Sequence, residues 1–72
     1  MTNTKLLKNK IVQSGLKIGY IAQMTNLSRS GLNKKINGKH QFNQFEMKAL
    51  RRILNIKSDE EFHAIFFADD VD

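Results

Sequence analysis

The apolar residues of this chain recur three and four positions apart along most of its length. That spacing matches the period of an α-helix, about 3.6 residues, whereas a strand would need a sustained alternation of apolar and polar residues. The sequence also contains no proline, the residue that most often breaks a helix from within. We therefore predict a compact all-α domain made of five short helices.

Residues with preferences for helix ends divide the chain. Helix starts are marked by side chains that can cap them, namely Ser28, Asn43 and Ser58. Helix ends are marked by residues that tolerate a left-handed backbone, namely Gly15, Asn26 and Gly38. Glu46, following Asn43, completes the pattern of a capping box. The predicted helices span about residues 4–14, 18–25, 29–37, 44–54 and 59–67.

The helical spacing also predicts which side chains are buried. In the third helix Leu32 and Ile36 are one turn apart, and both are expected in the core. The fourth helix is expected to bury Phe45, Ala49, Leu50, Ile53 and Leu54 and to leave Lys48, Arg51 and Arg52 largely to solvent. In the fifth helix the apolar face comprises Phe62, Ile65 and Phe66.

Length and composition restrict the class of protein. A chain of 72 residues supports one hydrophobic core, which we place in residues 1–67, with an acidic tail at 68–72 that is expected to fray. The absence of cysteine excludes disulfides and thiolate metal sites and fits a reducing cytoplasm. No apolar run approaches the roughly 20 residues of a membrane span, and no signal-peptide core is evident.

The charges are divided unevenly along the chain. All twelve Lys and Arg residues lie within residues 1–57 with a single acid, Glu46, which gives this segment a charge of +11. The other six acids lie in the last fifteen residues and bring the net charge to +5. A basic body favours a polyanionic partner, because binding releases the counterions of the polyanion.

The most specific pattern covers the second and third helices, in the stretch IAQMTNLSRSGLNKKINGK. Its small Ala22, its turn at Asn26 and its apolar Leu32 and Ile36 have the spacing of a helix-turn-helix. The stretch resembles the phage Cro and CI repressors, and together with LNIKSDEEF the resemblance extends over residues 16–62. A bare single domain is more similar to a Cro-type regulator than to a full CI repressor. The resemblance implies a lambda-repressor-like fold and a dimer that binds an operator and regulates transcription, most often as a repressor. It also implies that the cytoplasm is that of a bacterial host cell.

In that family the second helix of the motif enters the major groove of double-stranded DNA. The resemblance assigns base contacts to Ser28, Arg29, Ser30, Asn33 and Lys34. Arg29 and Lys34 have the chemistry to bind guanine, and Asn33 that to bind adenine. Side chains near the ends of the two helices are expected to contact phosphates, namely Lys17, Gln23, Lys35, Lys39, His40 and Asn43.

One position departs from the family pattern. The first residue of the motif is usually polar and contacts phosphate, but here it is Ile18, followed by Gly19. We hypothesise that Gly19 lets backbone N–H groups approach a phosphate closely. The missing polar side chain also favours a second function, that of a modulator that binds a CI-type repressor protein. Phe66 and Phe67 are the expected dimer or partner surface, next to the acidic C-terminal residues.

Other functional classes find little support in the residues. His40 and His63 lie far apart without cysteine, so we expect no metal site and no cofactor. No spacing of serine, histidine and acid suggests a nucleophile with its base, and so small a core leaves little room for a substrate pocket. We therefore expect the protein not to be an enzyme.

Overall fold

The computed structural model describes residues 1–68, and these residues form five α-helices without strands. The helices are α1 (Thr4–Ser14), α2 (Ile18–Met24), α3 (Arg29–Ile36), α4 (Gln44–Ile53) and α5 (Asp59–Phe66). Each boundary lies within one residue of the predicted one. The all-α class is thus confirmed. No helix in this part of the chain has the length and hydrophobicity needed to cross a bilayer.

The three predicted capping residues all cap their helices. The Ser28 hydroxyl accepts the N–H of Gly31 at 2.9 Å, and that of Ser58 accepts the N–H of Glu61 at 3.0 Å. At the start of α4 the capping box is complete, because Asn43 accepts the N–H of Glu46 at 2.8 Å and Glu46 accepts the N–H of Asn43 at 2.9 Å. Such bonds satisfy backbone donors that have no partner inside the helix.

Four consecutive helices are followed by a left-handed residue. After α1, α2, α3 and α4 this residue is Gly15 (φ 70°), Asn26 (φ 60°), Gly38 (φ 82°) and Asn55 (φ 60°). At the end of α3, the N–H of Gly38 donates to Lys35 O and that of Lys39 to Lys34 O, the two bonds of a Schellman motif. The helix ends predicted at Gly15, Asn26 and Gly38 are confirmed, whereas the turn at Asn55 was not foreseen.

The core is formed by side chains from all five helices and from the loops before and after α4. Its fully buried members include Leu7, Ile21, Leu32, Leu50, Ile65 and Phe66. Phe42 and Phe66 pack edge to face, with ring centroids 5.8 Å apart. The prediction that Phe66 belongs to a dimer or partner surface is therefore wrong. With 1% of its surface exposed, the ring lies at the centre of the core.

A second prediction, that Phe45 of α4 is buried in the core, is wrong. Phe45 is 63% exposed, although its apolar character placed it among the expected core residues. The buried face of α4 starts one residue later, at Glu46, which is 4% exposed and whose carboxylate accepts from Lys35 Nζ at 2.7 Å. A glutamate can occupy this face because two donors, the Lys35 ammonium group and the backbone N–H of Asn43, satisfy its carboxylate.

The loop between α4 and α5 is organised by Arg51. Its guanidinium donates to the carbonyls of Ile56 and Lys57, pairs with Asp59 at 2.9 Å and lies 5.2 Å from the ring centroid of Phe62. This side chain was expected to be largely free in solvent. It instead connects α4 to α5, since one planar group can satisfy several acceptors.

The N-terminal residues pack against the end of α5. The N–H of Asn3 donates to Ile65 O at 2.6 Å, and the N–H of Ala68 donates to Met1 O at 3.0 Å. Ala68 is thus ordered by pairing with Met1, where fraying was expected. The rest of the predicted acidic tail, residues 69–72, lies outside the described residues.

Candidate nucleic-acid interface

Helix α3 divides into a buried side and an exposed side. Leu32 and Ile36 are buried, at 0% and 5% exposure, and hold the helix against the core. The five residues expected to contact bases are all exposed: Ser28, Arg29, Ser30, Asn33 and Lys34. None of them is acidic, and the side chains of Ser30, Asn33 and Lys34 share one stripe because they are three and four positions apart.

Packing of α2 against α3 fixes this exposed face. Ile21 and Ala22 of α2 are buried, and the N–H of Leu27 donates to Ala22 O at 2.9 Å across the turn that joins the helices. The Thr25 hydroxyl, also buried, donates to Ile21 O or Ala22 O, at 2.8 and 3.1 Å. The buried Thr25 hydroxyl and the N–H of Leu27 are therefore satisfied inside the domain, and these bonds hold the turn that supports α3.

Ser28 caps α3 in addition to its predicted contact with a DNA base. Its oxygen accepts the N–H of Gly31, so the side chain is held at the start of α3. The hydroxyl proton remains available to donate outwards, since a serine hydroxyl has one donor and two acceptor sites. Any contact of Ser28 with DNA would therefore use this proton.

The guanidinium of Arg29 lies against Gly19 on α2. A methyl group built on Gly19 would come within 2.6 Å of Arg29 Nη2 and within 3.1 Å of its Cζ and Nε. The space that the glycine opens is thus filled by Arg29. This differs from our hypothesis that Gly19 leaves room for a phosphate to approach the backbone.

Lys35 is placed differently from the other expected phosphate ligands. Its side chain is 19% exposed, and its ammonium group forms the ion pair with the buried Glu46. The neighbouring Lys34 is exposed and has no ion pair within residues 1–68. Lys35 therefore joins α3 to α4, whereas Lys34 is directed outwards.

The remaining phosphate candidates are all exposed: Lys17, Gln23, Lys39, His40 and Asn43. They come from the start and the outer face of α2 and from the loop between α3 and α4. The side-chain oxygen of Asn43 is engaged in the capping box, which leaves its amide N–H groups for an outside acceptor.

One exposed residue of the same stripe was missed by the sequence reasoning. Asn37, the C-cap of α3, lies three and four positions after Lys34 and Asn33. The helical period itself would have found it, had the stripe been continued past the last buried residue, Ile36. Asn33 and Asn37 also border a shallow, mainly apolar depression of about 290 Å³ whose other walls come from α1, Ile18 and Ile36.

The charge distribution of the described residues favours an anionic partner. Lys10, Lys35 and Arg51 form ion pairs with Glu61, Glu46 and Asp59. The other nine Lys and Arg residues have no such partner within residues 1–68: Lys5, Lys8, Lys17, Arg29, Lys34, Lys39, Lys48, Arg52 and Lys57. Three of these nine, Lys17, Arg29 and Lys34, lie on or next to α2 and α3.

The described residues contain no group of three or more His, Asp or Glu side chains that could hold a metal ion. His63 is exposed, with its ring 5.3 Å from that of the partly buried Phe67. No protein-family model, curated protein or solved structure matches the chain. Its function must therefore be inferred from its own residues and geometry.

Proposed function

We propose that the protein is a sequence-specific DNA-binding regulator of transcription, a Cro-like repressor of phage type whose α2 and α3 form a helix-turn-helix. One observation carries the proposal. The exposed face of α3 presents five polar or basic side chains and no acid, while Leu32 and Ile36 fix the helix from below. An α-helix with its side chains is about 10–12 Å across and fits the major groove, which is about 12 Å wide.

The side chains of this face have donors suited to base edges. Asn33 can bind the N6 and N7 atoms of an adenine together, and Lys34 can donate to guanine O6 or N7. Each well-formed contact of this kind discriminates against a wrong base by about 1–3 kcal/mol. Sequence preference would therefore depend mainly on residues of α3.

Affinity without sequence preference would come from the exposed cations around α3. Lys17 and Lys39 are both exposed: Lys17 immediately precedes α2, and Lys39 lies in the loop that follows α3. Contacts of this type fix the register of a protein on DNA and weaken as salt concentration rises. They would act on any duplex alike.

The experiment is a selection of binding sites from random duplex DNA, followed by mobility-shift titrations of single variants. Asn33→Ala and Lys34→Ala should each reduce the preference for the selected site over random DNA by about tenfold, the equivalent of 1.4 kcal/mol. Lys39→Ala should weaken binding to both duplexes equally and flatten the salt dependence. Lys48→Ala, a change of an exposed lysine on α4, is the matched control. Selection of no preferred site would contradict the proposal.

We further propose that the protein binds a pseudo-palindromic operator as a homodimer, with half-sites about 34 Å apart. The exposed side chains available to a second copy include Val12 at 78% and Phe45 at 63%. A selected site with two inverted halves, bound with two protein chains per duplex, is the expected result. A single half-site bound by one chain would contradict the dimer.

A second candidate function is that of a modulator whose partner is a CI-type repressor protein. The start of α2 favours it, because Ile18 and Gly19 bring no polar side chain that could contact a phosphate. The exposed ring of Phe45 is an aromatic group of the kind enriched at protein interfaces. The burial of Phe66 weighs against the C-terminal surface first expected to carry it. A mobility-shift titration separates the two functions: a shift with this protein alone supports the first, and a shift only after addition of the repressor supports the second.

A further inference from the structure

The contact between Arg29 and Gly19 lies beside Ile18, the position where the chain departs from the helix-turn-helix pattern that it resembles. The first two residues of α2, Ile18 and Gly19, bring no polar side chain to the start of that helix. Ile18 is partly buried and packs against the core. The guanidinium of Arg29 reaches this place from α3 and lies over Gly19.

The contact depends on the absence of a side chain at position 19. Three atoms of the guanidinium, Nη2, Cζ and Nε, lie within 3.1 Å of the point that a Cβ would occupy. Contacts at such distances mean that the guanidinium lies directly against the glycine. Any larger residue at position 19 would displace it.

We infer that Gly19 and Arg29 act as one unit, in which the guanidinium lying against Gly19 binds a phosphate of the DNA backbone and Gly19 positions it. This inference rests on the proposed function and deepens it. Arg29 then supplies the backbone contact that Ile18 cannot make, and base recognition is left to Ser30, Asn33 and Lys34.

Two properties of Arg29 favour a phosphate over a base edge. A guanidinium forms paired hydrogen bonds with phosphate oxygens, and in the described residues this one has no other hydrogen-bonding or charged partner. The side chain also points towards α2, and in helix-turn-helix docking that helix crosses the DNA backbone while the next one enters the groove. To read a base, Arg29 would have to leave Gly19.

The local charge is consistent with an anion at this place. Arg29 is the first residue of α3, where its positive charge is unfavourable beside the positive end of the helix dipole. Lys17 adds a second exposed cation two positions before Gly19. A phosphate near the guanidinium would turn this repulsion into attraction.

The test is a double-mutant cycle of Arg29→Ala and Gly19→Ala, titrated on the selected site and on random duplex at several salt concentrations. Arg29→Ala should weaken binding to both duplexes by about the same factor, on the order of tenfold. It should also reduce the slope of log K against log salt by about 0.9, the value for one phosphate. Gly19→Ala should cause a smaller loss of the same kind, and no further loss when Arg29 is already alanine.

Lys34→Ala is the matched comparison, because it should change the preference between duplexes and leave Gly19→Ala with its full effect. Alanine favours helix more than glycine does, so Gly19→Ala should not lower the Tm. Losses at positions 19 and 29 that simply add, or a loss for Arg29→Ala confined to the selected site, would overturn the inference and leave the proposed function intact. A wild-type protein that binds no duplex would overturn both.

Discussion

Helices α3 and α5 have the same length and the same start, yet their surfaces differ. Each has eight residues, and each is capped by a serine whose hydroxyl accepts the N–H three positions on. The first turn of α3 contains Arg29 and no acid, whereas that of α5 contains Asp59, Glu60 and Glu61. The same serine cap can thus start a helix whose first turn is basic or one whose first turn is acidic.

The difference shows which helix is adapted to stability. Acids in the first turn interact favourably with the helix dipole, so the charges of α5 stabilise it, whereas Arg29 opposes the dipole of α3. The two helices also differ in what they bury. Phe66 of α5 packs against the rings of Phe42 and Phe62, while α3 buries two aliphatic side chains. The proposed contact of Arg29 with a phosphate would offset the unfavourable charge at the start of α3.

The largest expected effect tests the stabilising role of α5. Phe66→Ala removes a ring that is 1% exposed, and we expect it to lower the free energy of unfolding by about 3–5 kcal/mol, measured by urea denaturation. Phe45→Ala is the matched control, because this phenylalanine is 63% exposed and its loss should change stability by less than about 0.5 kcal/mol. Equal losses for the two variants would show that the burial described for α5 is incorrect.

An intermediate effect is expected at two adjacent lysines of α3. Lys35→Ala leaves the buried Glu46 carboxylate without its ion-pair partner and should destabilise the domain by about 1.5–3 kcal/mol. Lys34→Ala should leave stability nearly unchanged, since Lys34 has no ion pair in the described part of the chain. Thermal unfolding of both variants checks this prediction, and a greater loss of Tm for Lys34→Ala would reverse the assignment of the two residues.

The smallest effect sharpens the comparison of the two first turns. At low salt, Arg29→Glu should raise the free energy of unfolding by about 0.3–1 kcal/mol, because it replaces an unfavourable charge by a favourable one. Glu60→Lys should lower it by a similar amount, about 0.3–1 kcal/mol, for the opposite reason. Both changes should shrink when salt is added.

Binding to duplex DNA is the second measurement to be made on the variants Arg29→Glu and Glu60→Lys. Arg29→Glu should abolish it despite the gain in stability, and Glu60→Lys should preserve it. If Arg29→Glu destabilised the fold as well, the loss of binding would no longer separate function from folding. Two effects of opposite sign in one variant are therefore the decisive result.

Local signals in the sequence predicted most of the fold. The starts of α3, α4 and α5 follow from Ser28, Asn43 and Ser58, since capping depends only on residues within the first turn. The exposed face of α3 followed from the helical period, which also depends only on residues close together in the sequence. Asn55 carried the same information as Asn26, and its left-handed turn could have been predicted from it.

What the sequence did not reveal are contacts between distant residues. Lys35 and Glu46 are eleven positions apart, and their pairing, together with the capping box, allows the glutamate to be buried while the adjacent Phe45 is exposed. Arg51 looked like a surface residue because its partners include carbonyl oxygens, which every residue has. Likewise, nothing in the order of the residues indicated that the guanidinium of Arg29 would lie on Gly19.

The hydrogen bond from Asn3 to Ile65 has a consequence for how the chain folds. Asn3 also caps α1, since its side chain accepts the N–H of Leu6 at 3.1 Å. During synthesis Asn3 leaves the ribosome long before Ile65. Its backbone N–H can therefore form this hydrogen bond, and be protected from exchange with water, only after almost the entire domain has been synthesised. In a purified sample, slow hydrogen exchange at that single amide would report that both extremities have docked.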